Sequence, residues 1–456
     1  MSGKPLSGVR ILDLGAAWAI PIATRHLAML GAEVIHIESC ARPDVSRYGQ
    51  HAENTTEGRF WETGGRHNHI NMNKKAITLD LTRDEGVRLF KELVKISDVV
   101  AENFSPRVMR NLGLHYEALR EIRPDLIMIS SSGFGHSGPW AHYGAWGMGM
   151  EPTGGISHFT GYIEGRPIKS GIPYTDIPSA MHGTLAMLIA LDYRRRSGEG
   201  QFIDLSQNEV SVQQIGEAIM DYTMNGRAQA RMGNRHPSMA PHGCYRSQGN
   251  DKWIAIAVSS DEEWQALCHA MGDPPWSSEE RFKDALSRWH NQDELDRLIE
   301  EWTEARDHHE TMHTLQRAGV PCGAVLTPKE LFLDPHYRER GYIQMVAHPR
   351  EEGMEHLGTR PYIGFPWKMS RTETTLERSP ILGEHNEYVF GELLGLPREE
   401  MEKLEREGII GREPLSMEPT SVGSTIVPLS LMKEMGRIEE WDEDFHQILG
   451  LDTGPP

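Results

Sequence analysis

Four short stretches of the 456-residue chain carry residue types that could do chemistry. In Gly171-Ile-Pro-Tyr-Thr-Asp-Ile-Pro178, Asp176 stands just before a long run of helical spacing. Aspartate is a preferred N-cap and proline suits the first helical turn, so a capping role is open to Asp176. A helix N-terminus also favours negative charge, which would keep the carboxylate ionised at neutral pH. An ionised carboxylate is a nucleophile able to attack an activated acyl carbon. His309-Glu310-Thr-Met-His313 has the HExxH spacing of zinc hydrolases, with two histidines one helical turn apart. No third ligand is evident, Gly319 and Pro321 end the helix, and a chain with 22 histidines offers chance matches. A solvated helix face is the expectation there. Gly133-x-Gly135-x-x-Gly138 has dinucleotide spacing and follows a strand, but Pro139 and Trp140 stand where a helix should begin. That segment reads as a flexible loop near a ligand, not as an NAD site. In Gly135-His-Ser137-Gly-Pro139 a proline replaces the last glycine of a nucleophile elbow, which removes the serine-hydrolase reading.

The elements that must position these residues follow from hydrophobic periodicity. Strands are expected at 9–14, 33–38, 76–81, 98–102, 126–132 and 201–205. Helices are expected at 19–31, 83–96, 106–112, 115–122, 177–196 and 208–225. In the helix 177–196, Ile177, Met181, Leu185, Leu188 and Leu191 recur at helical spacing. Two long polar or Gly/Pro-rich segments, 40–73 and 133–175, read as loops over a site. The alternation predicts an α/β, doubly wound, Rossmann-like domain with right-handed crossovers. Composition changes near 226. A hairpin over 243–258 turns at Gly249-Asn250-Asp251, and helices at 260–271, 278–286, 292–305 and 308–318 complete a smaller α+β module. Residues 326–412 carry helices and irregular segments. A Pro/Ser/Thr-rich linker and an acidic helix near 430–448 follow. The domain expectation is therefore 1–226 and 329–412 for the large domain, 227–328 for the small one, and 413–456 as a C-terminal extension.

Composition excludes several classes. A net charge of −19 argues against a nucleic-acid or anionic-membrane partner. The start, MSGKPLSGVRILDL, has no apolar signal region, and no stretch approaches 18 apolar residues. Cys40, Cys244, Cys268 and Cys322 are dispersed, which suggests neither a disulfide framework nor a Cys-rich zinc site. A cytoplasmic location is expected.

The order of further motifs is more informative than any one of them. Leu6–Leu14, Gly31–Glu38, Asn73–Leu81, Glu102-Asn-Phe104 and Gly133–Pro139 are followed by Asp176 and Gly198–Leu205. Ala240–Tyr245, Gly319–Pro321 and Leu382–Asn386 come later. Taken in this order, residues 1–412 resemble the class III coenzyme A transferases, the group of formyl-CoA and carnitine CoA-transferases. The resemblance implies a large domain formed by both ends of the chain, a small inserted domain, and an interlocked dimer. It implies CoA as a substrate moiety with no permanently bound cofactor and no metal. It implies Asp176 as the nucleophile that carries the acyl group and then CoA. The CoA positions carry over as Trp18, Ala19, Ser39, Leu79, Asn103, Phe104, Ser105, Tyr143, Gly144 and Trp146. Trp18 stands in place of a glutamine, and Ser39 and Asn111 in place of arginines near the phosphates. Arg42, Arg83, Arg107 and Arg110 are close enough in sequence to substitute. The glycine-rich acyl loop of formyl-CoA transferases is absent from 233–248. An aromatic or branched dicarboxylic acid is expected ahead of a one- or two-carbon acid.

Other readings share the fold. An α-methylacyl-CoA racemase needs a histidine where this chain has Trp146. An intramolecular CoA transferase would look the same in sequence. A non-catalytic partner subunit in a heteromer fits the replaced basic positions, although Asp176 argues against it. A homodimer is the first expectation for assembly.

Overall fold

The computed structural model describes residues 4–416 and 427–451. They form two compact units. One holds the described residues of Met1–Ile156, Ser170–Gly216 and Pro335–Pro456, and the other holds Ser157–Lys169 and Glu217–Asp334.

The first unit is built on six parallel strands: β1 (Arg10–Asp13), β2 (Glu33–Glu38), β3 (Lys75–Thr78), β4 (Val99–Glu102), β5 (Ile127–Ser132) and β6 (Phe202–Ser206). Their order is β3-β2-β1-β4-β5-β6. This is a doubly wound sheet, whose ligand crevices lie outside the C-terminal strand ends. Every residue of β4 and β5 is buried, which is why these strands read as continuous runs rather than alternating ones. The helices up to the end of this sheet are α1 (Ala19–Met29), α2 (Gly65–Ile70), α3 (Asp84–Lys95), α4 (Arg107–Asn111), α5 (Tyr116–Ile122), α6 (Gly147–Thr153), α7 (Ile156–Phe159), α8 (Asp176–Ser197) and α9 (Gln207–Gln213).

Local chemistry accounts for the main helices. Helix α3 starts with Asp84 and Glu85 and ends with Lys95, which suits the helix dipole. It buries Leu89, Phe90, Leu93 and Val94 in a core shared with Val389, Phe390 and Leu404 from late in the chain. Helix α8 buries Ser179, Ala180, Gly183, Met187 and Ala190, and its core cluster includes Ile20, Ile22, Ala23 and Leu27 of α1. Small residues on this face let the two helices lie close together. The larger Met181, Leu185 and Ile189 point outward, 56–57% exposed. Of the five residues at helical spacing, Ile177, Leu188 and Leu191 pack against this core, whereas Met181 and Leu185 do not. Helix α8 stops at Gly198, whose positive φ lets its N–H bond back to the Arg194 carbonyl.

The second unit pairs β7 (His242–Arg246), β8 (Trp253–Ala257) and β9 (Cys322–Ala324) antiparallel in the order β7-β8-β9. Tyr245, Ile254, Ile256, Trp264, Phe282, Ile299 and Leu315 fill its core. The buried Tyr245 hydroxyl donates to Asp296 Oδ1 at 2.8 Å.

Several segments depart from the periodicity. The stretch 40–73 contains α2, and 133–175 contains α6 and α7. The helix expected over 208–225 divides into α9 and Gly216–Asn225. The region read as irregular contains an antiparallel hairpin, β10 (Ile343–Ala347) with β11 (Thr359–Ile363). The acidic helix expected near 430–448 is two short helices, Leu429–Glu434 and Phe445–Leu449. Gly436 takes a left-handed φ after the first, and the acidic run Glu439–Asp444 repels itself in helical geometry. The Pro/Ser/Thr-rich linker falls largely on 417–426, outside the described residues. No helix among the described residues is long and apolar enough to cross a membrane.

Candidate active site

Buried charges shape the C-terminal ends of the central strands. Asp13, at the end of β1, accepts from Lys74 Nζ, Thr24 Oγ1 and the Gly15 N–H, each at 2.8 Å. Glu38, at the end of β2, accepts from Arg47 at 2.6 and 2.8 Å, and Arg47 also reaches Glu62 at 2.7 Å. All five charged side chains are buried. Burial alone would push Asp13 and Glu38 up. Lys74 beside the first and Arg47 beside the second instead hold both well below the usual carboxylate range.

This network occupies the first βα turn. The Gly15, Ala16 and Ala17 N–H groups donate to Asp13 (2.8 Å), Asn103 Oδ1 (2.8 Å) and Asp44 (3.1 Å) respectively. With three successive amides already bonded to side chains, the turn does not present them to a pyrophosphate as a dinucleotide fold does.

Most of the expected CoA positions follow these strand ends. Trp18 is the residue before α1 and lies under the Arg66 guanidinium, 5.4 Å from its ring centroid. Ala19 is buried as the first residue of α1. Ser39 and Arg42 close a tight turn after β2 through a 3.0 Å backbone bond, and Arg42 is exposed. Leu79, after β3, lies in the core. Asn103 holds Ala16 from both sides, its Nδ2 donating to the Ala16 carbonyl at 2.8 Å. Phe104 packs against the core, and Ser105 begins the turn into α4, where Arg107 and Arg110 are exposed. Tyr143 and Gly144 lie on an exposed loop, with Tyr143 stacked on Trp140.

Asp176 is the first residue of α8, and Thr175 takes the N-cap position without a side-chain cap bond. Asp176 is therefore not the cap that its residue type suggested. The Thr175 hydroxyl is engaged elsewhere, accepting from Ser211 Oγ of α9 at 3.0 Å. The Asp176 carboxylate is only 9% exposed and accepts no hydrogen bond from the described residues. Burial pushes its carboxyl up to about 6, and the nearby charge of Glu151 adds to that. Desolvation works against the ionised form that the helix end was expected to favour. The group remains ionised by about ten to one at pH 7.

Helix α6 places two further residues beside Asp176. Gly147, its first residue, lies so close that a methyl group there would overlap Asp176 Oδ2. Trp146 and Met148, either side of Gly147, are 72% and 68% exposed. One turn along, Glu151 is buried. The structure thus brings the end of the 143–147 loop to Asp176, and it adds Gly147 and Glu151, which the residue pattern did not single out. The available signal was one acid within the Gly/Met-rich segment Gly147-Met-Gly-Met-Glu151.

The other motifs assemble differently. In the second unit His308 and His309 approach Glu330, whereas Glu310 and His313 of the HExxH match are not part of that group. Glu330 already accepts from Lys252 Nζ at 2.9 Å and from Thr327 in a capping box, so a cation would have to displace an ammonium. In the Gly133–Gly138 loop, the His136 N–H donates to Asp204 at 3.0 Å.

Comparison with known proteins gives the family. A model of CoA-transferase family III matches residues 6–386. The chain is 34% identical to a succinyl-CoA–D-citramalate CoA-transferase of Chloroflexus aurantiacus, over 89% of this chain and 98% of that protein. It is 32% identical to a succinate–glutarate CoA-transferase of Agrobacterium fabrum, over 86% and 97%. A CAIB/BAIF family protein from Brucella suis has the same fold, with a TM-score of 0.77 at 30% identity, covering 86% of this chain and all of that one. The chain belongs to CoA-transferase family III, and it is an enzyme that transfers coenzyme A from an acyl-CoA to a carboxylic acid.

Proposed function

We propose that Asp176 carries first the acyl group and then CoA during this transfer. The observation that carries the reading is its carboxylate, buried yet without a hydrogen-bond donor among the described residues and pressed against a glycine. One Oδ atom attacks the thioester carbonyl, the C–S bond breaks, and CoA leaves as a thiolate. The thiolate then attacks the aspartyl carbonyl of the mixed anhydride and releases the donor acid as its carboxylate. The acceptor carboxylate attacks the resulting aspartyl thioester and again expels the thiolate. Attack of the thiolate on the new acyl carbon frees Asp176. No net proton is taken up or lost.

For CoA itself we propose the loops after β1–β4, with Trp18, Ser39 and Asn103–Ser105 lining the site, the buried Ala19 and Leu79 supporting it from the core, and the exposed Arg42, Arg107 and Arg110 meeting the phosphates. Asn103 acts there through the turn at Ala16. We propose succinyl-CoA as donor and a branched or five-carbon dicarboxylic acid as acceptor. The names of the two relatives and the large apolar side chains at 146 and 148 support this. A homodimer is proposed on the outward stripe Met181, Leu185 and Ile189, apolar surface that a second copy would cover.

The test is chemical trapping. Incubation with succinyl-CoA, followed by hydroxylamine or borohydride, should modify the peptide containing Asp176. Continued acyl exchange by D176A would overturn the proposal, and wash-in of solvent deuterium at the α-carbon would point to a racemase.

A further inference from the structure

We propose that Glu151 is a positioning residue for Asp176: its carboxylate, anchored by Ser170, keeps the nucleophile reactive toward thioesters and confines turnover to neutral and alkaline solution. The inference rests on Asp176 being the nucleophile. Gly147 and Glu151 stand one turn apart on α6, hence on one face. Helical side chains lean toward the N-terminus, so Glu151 leans toward the turn that carries Gly147. The Asp176 carboxylate lies against Gly147.

Glu151 is 1% exposed, and an acid at that depth is costly unless it is bonded. Ser170 provides bonds to both oxygens: its N–H donates to Oε2 at 3.0 Å and its hydroxyl to Oε1 at 2.8 Å. Asn208 of α9 donates to Thr153 Oγ1 at 3.0 Å and fixes the other end of α6. The helix is thereby held where its acid faces the nucleophile.

The charged groups on other elements packed against α8 are engaged elsewhere. On α1, His26 meets Thr184 and Arg25 bonds His69. On β6, Asp204 holds the His136 amide, and on α9 Glu209 is exposed. Strand β5 carries no charged residue. Glu151 is the one group among the described residues whose charge bears on Asp176. A neighbouring negative charge makes a carboxylate more basic, and a more basic carboxylate attacks an acyl carbon faster. The same repulsion makes Asp176 take up a proton earlier as pH falls.

The test uses the whole chain and its E151Q and S170A variants. Carbodiimide modification of Asp176, which requires the protonated acid, is followed by peptide mass spectrometry from acid to alkaline pH. The midpoint should fall by about one unit in E151Q, leaving about fivefold less modification at pH 6, and by less in S170A. Exchange of labelled succinate with succinyl-CoA should lose its acid limb to the same degree, with several-fold lower kcat at alkaline pH. A merely structural Glu151 would lower the rate at every pH and leave the midpoint in place. Coincident midpoints in wild type and E151Q, or in wild type and S170A if E151Q does not fold, would overturn the inference. Failure to trap CoA on Asp176 in the wild type would instead sink the nucleophile reading on which it rests.

Discussion

The substitution D176N should abolish transfer and yet make the protein more stable at neutral pH. In the unfolded chain the Asp176 carboxyl titrates near 3.8, and in the fold burial and Glu151 raise it to about 6. A raised folded value means that the native state binds the proton more tightly. The associated stability is present below the unfolded value and is lost as pH rises through about 6. From these two values the ionised group opposes folding by about 3 kcal/mol at pH 7 and by only about 0.5 kcal/mol at pH 4. Asparagine keeps the shape and removes the charge. Its amide needs donors and acceptors that the site does not supply, which takes back about 1–2 kcal/mol. The expected net gain is about 1–2 kcal/mol at pH 7.5, shrinking or reversing at pH 4. Urea unfolding of both proteins at the two pH values measures it. If D176N is no more stable than wild type at pH 7.5, or if its relative stability does not fall with pH, the charge of Asp176 is not the strained feature described above.

Three other outcomes follow from the same contacts. In G147A the added methyl meets Asp176 Oδ2, so kcat should fall by about 100-fold with little change in binding of CoA, measured by steady-state kinetics and calorimetry. K74M leaves Asp13 buried without its ammonium and should cost about 3–5 kcal/mol in urea unfolding, with K74M/D13L recovering much of that loss. The double substitution L185E/I189E places charges on the outward stripe of α8, and light scattering should show the proposed wild-type dimer replaced by monomer.

The element pattern was open to reading because it depends on local chemistry. Buried parallel strands are rich in β-branched apolar residues, and β2 falls at 33–38 around Val34, Ile35 and Ile37, although it also buries His36 and Glu38. The hairpin β7–β8 brackets the Gly249–Asp251 turn for a similarly local reason. Helices α2 and α6 were missed because Gly-, His- and Pro-containing segments have weak intrinsic helicity and are held by contacts distant in sequence. Asn68 of α2, for example, shares a hydrogen bond with Ser379, 311 residues away.

At the site the division is sharper. Residue types in order were enough to point to Asp176 as a nucleophile and to the family, because that information is carried by identity and sequence. Its environment was not. Whether an aspartate at a helix start is a cap or a desolvated carboxylate depends on what covers it, and here Gly147 of α6 lies against it with the charge of Glu151 nearby. Asn103 shows the same limit: its type is right for a ligand contact, but the fold turns both ends of its amide onto Ala16. The chain by itself determined most of the elements of the parallel sheet, the family, and Asp176 as the candidate nucleophile. Only the tertiary structure decided how tightly that group holds its proton, because burial and the approach of a second acid are properties of packing that no local pattern encodes.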